Sequence, residues 1–147
     1  MRKDVKIVLA AVFVCGLFVG ALSYAIYQWA RQIRNVGVIR AIGVDVYRDE
    51  ALTEILDIID WGLLDPGENR SVSAWVKNTG NDAQKLVMWT EAWNPMNASD
   101  WISLSWGYGG SWVAVNASVP VVFTLHVDAN IEGVTNFSFD IWVKGVH

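Results

Sequence analysis

From residue 36 to the C-terminus, apolar and polar side chains alternate in short runs, a period typical of β-strands. The run Arg70–Lys77 is the clearest, with Val72, Ala74 and Val76 on one side and Trp75 on the other. The predicted strands are approximately Val38–Tyr47, Ile58–Leu63, Arg70–Lys77, Ala83–Glu91, Ile102–Trp106, Val119–Val127 and Phe137–Val143. About seven short strands separated by turns predict a mainly β fold, an antiparallel sandwich over residues 36–147.

The same alternation predicts which side chains face the core. In the first strand, one side is predicted to carry Val36, Val38, Ile42, Val44 and Val46, with Arg40 interrupting it. In the last strand, the predicted inward residues are Phe137, Phe139, Ile141 and Val143. Trp61 and Trp106 are also predicted to be core residues, and Leu52–Ile59 is predicted to be a short helix or an irregular crossover.

A different pattern precedes the strands, because residues 7–30 contain no charged side chain. As a helix, these residues would rise about 36 Å, enough to cross a hydrocarbon layer of about 30 Å. Tyr24, Tyr27 and Trp29 lie at the end of the run, where an interfacial aromatic belt is expected. The sequence therefore predicts a membrane anchor at residues 1–34, with a cytoplasmic N-terminus and an extracellular domain at 36–147.

A cleaved secretory signal is the alternative, with cleavage after Ser23 or Ala25. Either possibility exports the domain, and export makes N-x-S motifs candidate glycosylation sites. The candidate acceptors are Asn69, Asn97, Asn116 and Asn136.

Charge and cysteine content exclude several classes of function. Beyond residue 34 the chain has 14 acidic and six basic residues, so it would repel a phosphate backbone and nucleic acid is not an expected partner. The single cysteine, Cys15, lies in the apolar run, which excludes disulfides and thiol catalysis in the domain.

Candidate chemistry in the domain is sparse. His126 lies in a predicted strand, where a solvent-facing or hydrogen-bonded side chain is expected, and no serine occurs in a G-x-S-x-G turn. We therefore predict no enzymatic activity and no cofactor. A set of carboxylates offers oxygen ligands of the kind that Ca²⁺ prefers, although a solvated acidic edge is the alternative. Its members are Asp45, Asp49, Glu50, Glu54, Asp57 and Asp60.

Nine tryptophans in 147 residues are the most informative feature of the composition. By alternation, Trp75, Trp89 and Trp142 are predicted to point away from the core. Three more are predicted to cluster in loops at one end of the domain: Trp93, Trp101 and Trp112. One alternative is that loops cover these side chains. A contiguous exposed patch would instead form a protein interface or a platform for sugar rings.

Two motifs of the domain resemble those of a known class. Leu64-Asp65-Pro66-Gly67, the strand Ser71–Lys77 and Asn78-Thr79-Gly80 resemble the L-x-P-G, strand and N-x-G signature of immunoglobulin-like modules in archaeal and bacterial surface proteins. The ending Val134–Ile141 is similar to small membrane-anchored archaeal proteins. The same layout is similar, more weakly, to the TasA/camelysin fibre proteins. These resemblances imply an immunoglobulin-like sandwich and carry over no catalytic residue.

The expected function is a non-catalytic, membrane-anchored cell-surface structural or adhesion module that acts through protein contacts or self-association. One alternative is an exported fibre subunit, in which Val36–Val46 completes the sheet of a neighbouring copy. A carbohydrate-binding module is a second alternative. An accessory subunit of a membrane complex is a third, because Gly16 and Gly20 form a G-x-x-x-G spacing.

Overall fold

The computed structural model describes residues 35–147, and the predicted anchor helix at residues 7–30 lies outside them. Within this range, eight strands form two four-stranded sheets, which confirms the prediction of a mainly β sandwich. The first sheet has the order β3-β1-β8-β5 and the second the order β2-β4-β7-β6. The strands are β1 (Val36–Ile42), β2 (Val44–Tyr47), β3 (Ile58–Asp60), β4 (Asn69–Asn78), β5 (Lys85–Asn94), β6 (Ile102–Trp106), β7 (Ser118–Val127) and β8 (Ser138–Val146).

A short 3-10 helix, Met96–Asp100, connects β5 to β6. None of the helices in residues 35–147 has the length and apolar character needed to cross a membrane.

Gly43 divides the predicted first strand in two and moves the chain from one sheet to the other. Its φ of 70° is accessible to glycine without steric cost. The inward side also changes there, because Gly37 is buried and Ile39 packs on the core in β1, whereas Val44 and Val46 are buried in β2. The prediction of one shared inward side from residue 36 to residue 46 is therefore wrong.

One strand pair departs from the predicted antiparallel arrangement. β1 pairs with β8 in parallel, from Val36 opposite Ser138 to Ile42 opposite Lys144. At the start of this pair, the Asn35 side chain accepts a hydrogen bond from the Phe137 N–H at 3.1 Å. Both strands therefore begin side by side and run the same way.

The core lies between the sheets and is built mainly from alternate residues of the strands. All four predicted inward residues in and beside β8 are buried, which confirms that alternation: Phe137, Phe139, Ile141 and Val143. Trp61 is 1% exposed, as predicted, and Trp106 is half-buried with its ring stacked on Phe123. Leu56, from the irregular crossover between β2 and β3, completes the packing. Each large apolar side chain buried in this way contributes roughly 1.5–3 kcal/mol.

The N-x-G motif has a structural role at the end of β4. Asn78 is fully buried, and its amide group donates hydrogen bonds to the carbonyls of Asp82 at 2.8 Å and Val113 at 2.9 Å. Its side-chain oxygen accepts a hydrogen bond from the Gly80 N–H at 2.8 Å. One side chain therefore connects β4, the following turn and the loop before β7.

Candidate interaction surface

The outward side of the first sheet carries a set of side chains that we call the tryptophan face. These side chains lie outside, because alternate residues of the same three strands pack on the core: Ile39, Leu86, Met88, Phe139, Ile141 and Val143. The face consists of Val38, Arg40 and Ile42 of β1, Asp140, Trp142 and Lys144 of β8, and Val87, Trp89 and Glu91 of β5.

Two stacked tryptophans form the centre of this face. Trp89 and Trp142 lie opposite each other on neighbouring strands, and their rings are 5.7 Å apart with an interplanar angle of 5°. Trp142 points outward because its neighbours Ile141 and Val143 are both fully buried, and Trp89 lies opposite it on the same side of the sheet. A stacked aromatic pair is worth about 0.5–1.5 kcal/mol beyond its buried area. The stacked pair therefore forms the aromatic centre of the face.

Carboxylates lie on one side of the tryptophan pair, and exposed apolar side chains lie on the other. Glu91 accepts a hydrogen bond from the Trp89 indole N–H at 2.8 Å, and Asp140 accepts one from the Arg40 guanidinium at 3.2 Å. Two exposed apolar side chains lie on the other side of the pair, Ile42 at 43% and Val87 at 39% exposure. An apolar aromatic centre with charged groups around it is the usual composition of a protein–protein contact surface.

Trp75 does not belong to this face. It points outward from the second sheet, where the strand register places it between Tyr47 and Pro120. The outward tryptophans of the strands therefore occupy the two opposite sides of the sandwich.

Beside Trp75, desolvation raises the pKa of the Tyr47 phenol. The Asp45 carboxylate, which accepts a hydrogen bond from this phenol at 3.3 Å, raises that pKa further.

The predicted cluster of three loop tryptophans is wrong. Trp93 belongs to β5 and stacks on Phe139 at a centroid distance of 4.1 Å, and Trp101 also packs on the core. Trp112 is 58% exposed and lies beneath the ammonium group of Lys85, 5.3 Å from it. Lys85 is the first residue of β5 and Trp93 is the last but one, so the two are about 27 Å apart along the extended strand. Trp112, which lies against Lys85, is therefore at the other end of the strand from Trp93.

The inward turn of Trp93 depends on a local irregularity that alternation does not reveal. The register of β5 against β8 shifts between Glu91 and Asn94, and Ala92 has a φ of 53°. An extra residue in a strand reverses the side on which the following side chains lie. Trp93 therefore faces the core, although Trp89 and Glu91 have the same parity and face outward.

The four candidate glycosylation sites lie at or near the surface. Asn69, Asn97 and Asn116 are exposed, and Asn136 is half-buried. Asn69 accepts a hydrogen bond from Nδ1 of His126 at 2.7 Å, so this histidine is exposed and hydrogen-bonded, as predicted. Glycosylation itself stays a prediction.

The candidate calcium ligands serve local turns instead of converging on one point. Asp49 accepts hydrogen bonds from the Thr53 hydroxyl at 2.6 Å and from the Glu54 N–H at 2.8 Å, and Arg48 forms an ion pair with Glu54. Within residues 35–147, no three His, Cys, Asp or Glu side chains lie close enough to hold a metal ion.

These turn contacts make stability depend on pH. The hydrogen bond from the Thr53 hydroxyl, followed by that from the Glu54 N–H, lowers the pKa of Asp49 below its ordinary 3.8. A lowered pKa stabilises the fold above the ordinary value, and this contribution is lost as the pH falls through the folded value. We expect the free energy of unfolding to decrease below about pH 4, and Asp49→Asn to weaken this decrease.

Urea unfolding at pH 6 and pH 3 measures this effect. Asp57→Asn, which changes an exposed carboxylate in the same segment, is the matched control and should keep the wild-type dependence. Equal acid dependence in all three proteins would contradict the assignment.

An apolar cavity of about 100 Å³ lies at the end of the sandwich where β1 begins, between Asn35, Leu64, Ile102 and Phe137. It is smaller than the roughly 300–1,000 Å³ of typical small-molecule sites. An open depression of about 460 Å³ beside the 3-10 helix is lined by Met96, Asn97, Ser99 and Asp100, so volume alone does not select a site. The tryptophan face is the candidate functional site because it combines a stacked aromatic pair with exposed apolar side chains. Among known proteins, no family model and no curated protein sequence matches this chain.

Proposed function

We propose that the chain is a non-catalytic, membrane-anchored extracellular module with an immunoglobulin-like sandwich, and that it acts through protein contacts of its tryptophan face. The observation that carries this proposal is the stacked Trp89–Trp142 pair on the outer side of the first sheet. Tryptophan is enriched among the residues that dominate binding energy at interfaces. The flanking Ile42 and Val87 extend the apolar surface that a partner would remove from water.

The stacked geometry favours a protein over a sugar as the partner. A sugar ring binds on an open indole face, and stacking leaves each indole one face instead of two for such a contact. A protein surface, in contrast, packs against the ring edges and the neighbouring aliphatic side chains at the same time. The carbohydrate alternative therefore has less support than a protein interface.

The fibre alternative requires β1 to leave its own sheet. β1 lies between β3 and β8, and Gly43 alone separates it from β2 in the second sheet. The segment Val36–Val46 contains β1 of the first sheet and most of β2 of the second, so transferring it as one strand would remove strands from both sheets. This connection argues against strand exchange as the mode of assembly.

Extracellular anchoring is supported by the uncharged residues 7–30 and by the four N-x-S motifs. We expect the full-length chain in the membrane fraction, with an intact mass that includes the N-terminal segment through Ala25. A mass lacking those residues would indicate a cleaved signal, and full-length chain in the cytosol would contradict export.

The interface is tested by changing both tryptophans of the face in the tagged full-length chain. Trp89→Ser with Trp142→Ser should lower the amount of protein captured from the membrane fraction in mild detergent by at least about tenfold, because interface hot spots are worth about 2 kcal/mol or more. Quantitative mass spectrometry of the captured protein gives the measurement.

The matched control is Trp75→Ser, which removes a half-buried outward tryptophan from the opposite sheet. Capture by this variant should equal that of the wild type. Equal capture by the double variant, or an equal loss in the control, would contradict the proposal.

A further inference from the structure

We propose that the end of the sandwich at which the domain begins inserts Leu63 and Met96 into the surface of the membrane that holds the predicted anchor. This inference rests on the membrane anchoring in the proposed function and adds a second contact surface, whose partner is lipid. The observation behind it is the position of two highly exposed apolar side chains, Leu63 at 91% and Met96 at 83% exposure.

Three loops meet at the end of the sandwich where β1 begins, which we call the entry end. Strand pairing places the loops there, because Val36 of β1 lies opposite Asp60, the last residue of β3, and opposite Ser138, the first residue of β8. Asn94, the last residue of β5, also lies opposite Ser138. The loops connect β3 to β4, β5 to β6 and β7 to β8, and they comprise residues 61–68, 95–101 and 128–137.

Each of these loops contributes apolar side chains to the entry end. Leu63 and Met96 are more exposed than any other large apolar side chain in residues 35–147. The third loop contributes Ile131 and Val134, which are half-buried and line the small apolar cavity at the same end. Single apolar side chains scattered over a surface are ordinary, but here three loops of one end supply them. This grouping indicates a contact surface.

The chain enters the domain directly beside Leu63. The Asn35 carbonyl accepts a hydrogen bond from the Trp61 N–H at 2.8 Å, and the Asn35 side-chain amide donates one to the Gly62 carbonyl at 2.9 Å. The loop that carries Leu63 is therefore tied to the first residue that the structure describes.

The sequence limits how far the entry end lies from the bilayer. The uncharged run ends at Ala30, and only residues 31–34 separate it from Asn35. This connection cannot span more than about 18 Å, even when fully extended. The loops at the opposite end lie about 30 Å farther along the strands, because β8 has nine residues. The entry end is therefore the end of the domain that lipid reaches first.

Lipid is the partner that fits this position and chemistry. Contact of apolar side chains with a membrane surface strengthens with the apolar area that is removed from water. An anchored domain meets that surface at a high effective concentration, so a contact made by a few side chains is sufficient. The entry end also carries exposed carboxylates, which oppose contact with anionic headgroups: Asp65, Asp100 and Glu132. A zwitterionic surface is therefore the expected partner.

This contact would also orient the tryptophan face. With the entry end on the membrane, the strands would run away from the bilayer. The tryptophan face would then point sideways, toward proteins held in the same membrane.

A dye in the third loop of the full-length chain tests the insertion without replacing either apolar side chain. Cys15→Ser removes the single native thiol, and Glu132→Cys adds an exposed labelling site at the entry end. In phosphatidylcholine vesicles, an environment-sensitive dye there should emit at a shorter wavelength. Lipid with a spin label in the upper acyl chain should quench it, because such quenching requires the dye to reach the acyl boundary. A dye at Asn81→Cys, in an exposed turn at the opposite end, should show neither effect.

Charged substitutions distinguish insertion from mere proximity. Leu63→Asp with Met96→Asp should remove most of the quenching at position 132, because the domain stays tethered but its loops no longer favour lipid. The matched control is Trp112→Asp with Val115→Asp, which changes two exposed apolar side chains of the loop between β6 and β7. Quenching in this control should equal that of the parent chain.

Two candidate glycosylation sites provide an independent check in the native protein. Asn97 and Asn136 lie in loops of the entry end. A glycan is bulky and strongly hydrated, so it would hold its loop in water. Peptide mapping of the native chain should therefore find both residues unmodified, and a glycan on either one overturns the inference.

Each result of the dye experiment decides the inference. Quenching that is lost in the Leu63 and Met96 variant and kept in the control variant supports insertion. No quenching at position 132, equal quenching at Asn81→Cys, or equal loss in both double variants overturns it. If the chain is anchored in the vesicles but its dye stays in water, only this inference fails. A full-length chain that does not associate with vesicles contradicts the anchor of the proposed function, and this inference with it.

Discussion

Replacing Asn78 with Ala is expected to lower the free energy of unfolding by about 2–4 kcal/mol. The substitution removes three hydrogen bonds of a fully buried side chain. The Val113 carbonyl keeps a second donor, the Gln84 N–H at 3.0 Å, but the Gly80 N–H and the Asp82 carbonyl lose the partner that Asn78 supplied. The three lost hydrogen bonds, at about 0.5–1.5 kcal/mol each, account for most of the expected loss.

Equilibrium urea unfolding of the Asn78 variant and two comparison proteins measures this loss. Asn81→Ala changes an exposed asparagine of the same turn and should alter stability by less than about 0.5 kcal/mol. Asn78→Asp keeps the acceptor for the Gly80 N–H but loses both donated bonds, so it should also be destabilised. A cost for Asn78→Ala no larger than that for Asn81→Ala would show that this network contributes little.

The strands were predictable where alternation continues without interruption. β6 has the predicted bounds, and every predicted inward residue from Phe137 to Val143 is buried in or beside β8. In these segments only one side of the strand faces the core. The alternation of apolar and polar residues therefore shows directly which side chains point inward.

Single residues that change the parity were not predictable from the same pattern. Gly43 transfers the chain between sheets, and the irregularity at Ala92 turns Trp93 inward. An uninterrupted alternation on either side gives no sign of such an insertion. The parallel pairing of β1 with β8 was also missed, because it joins segments from opposite ends of the domain sequence.

The candidate site was predictable in part for the same reason. Alternation along each strand predicted that Trp89 and Trp142 point outward, because the direction of a side chain depends only on its position within its own strand. Their stacking depends on the register between β5 and β8, which is a tertiary property. The grouping of charged side chains around the pair is likewise visible only after the strands are placed side by side.

Gly37 faces the core and leaves no room for a side chain. Adding a single methyl group there has the second-largest expected effect on the free energy of unfolding, after Asn78→Ala. A Cβ atom there would lie 2.7 Å from Cδ1 of Ile141 and 3.2 Å from Nε1 of Trp61. Ile141 is fully buried and Trp61 is 1% exposed, so neither side chain has free space into which to move. Gly37→Ala is therefore expected to lower the free energy of unfolding by about 1–3 kcal/mol, the usual cost of overpacking a core.

Ile141→Val tests the cause, because it removes the Cδ1 atom that lies nearest to the added methyl group. Alone, this substitution should cost about 0.5–1.5 kcal/mol through the cavity it leaves. In the double variant the new methyl group occupies that cavity, so the cost should be smaller than the sum of the two single costs by about 1 kcal/mol. Gly109→Ala, at an exposed glycine with no atom within 4 Å of the added Cβ, provides the control and should leave stability nearly unchanged. Strictly additive costs in the double variant would mean that crowding against Ile141 is not what destabilises Gly37→Ala.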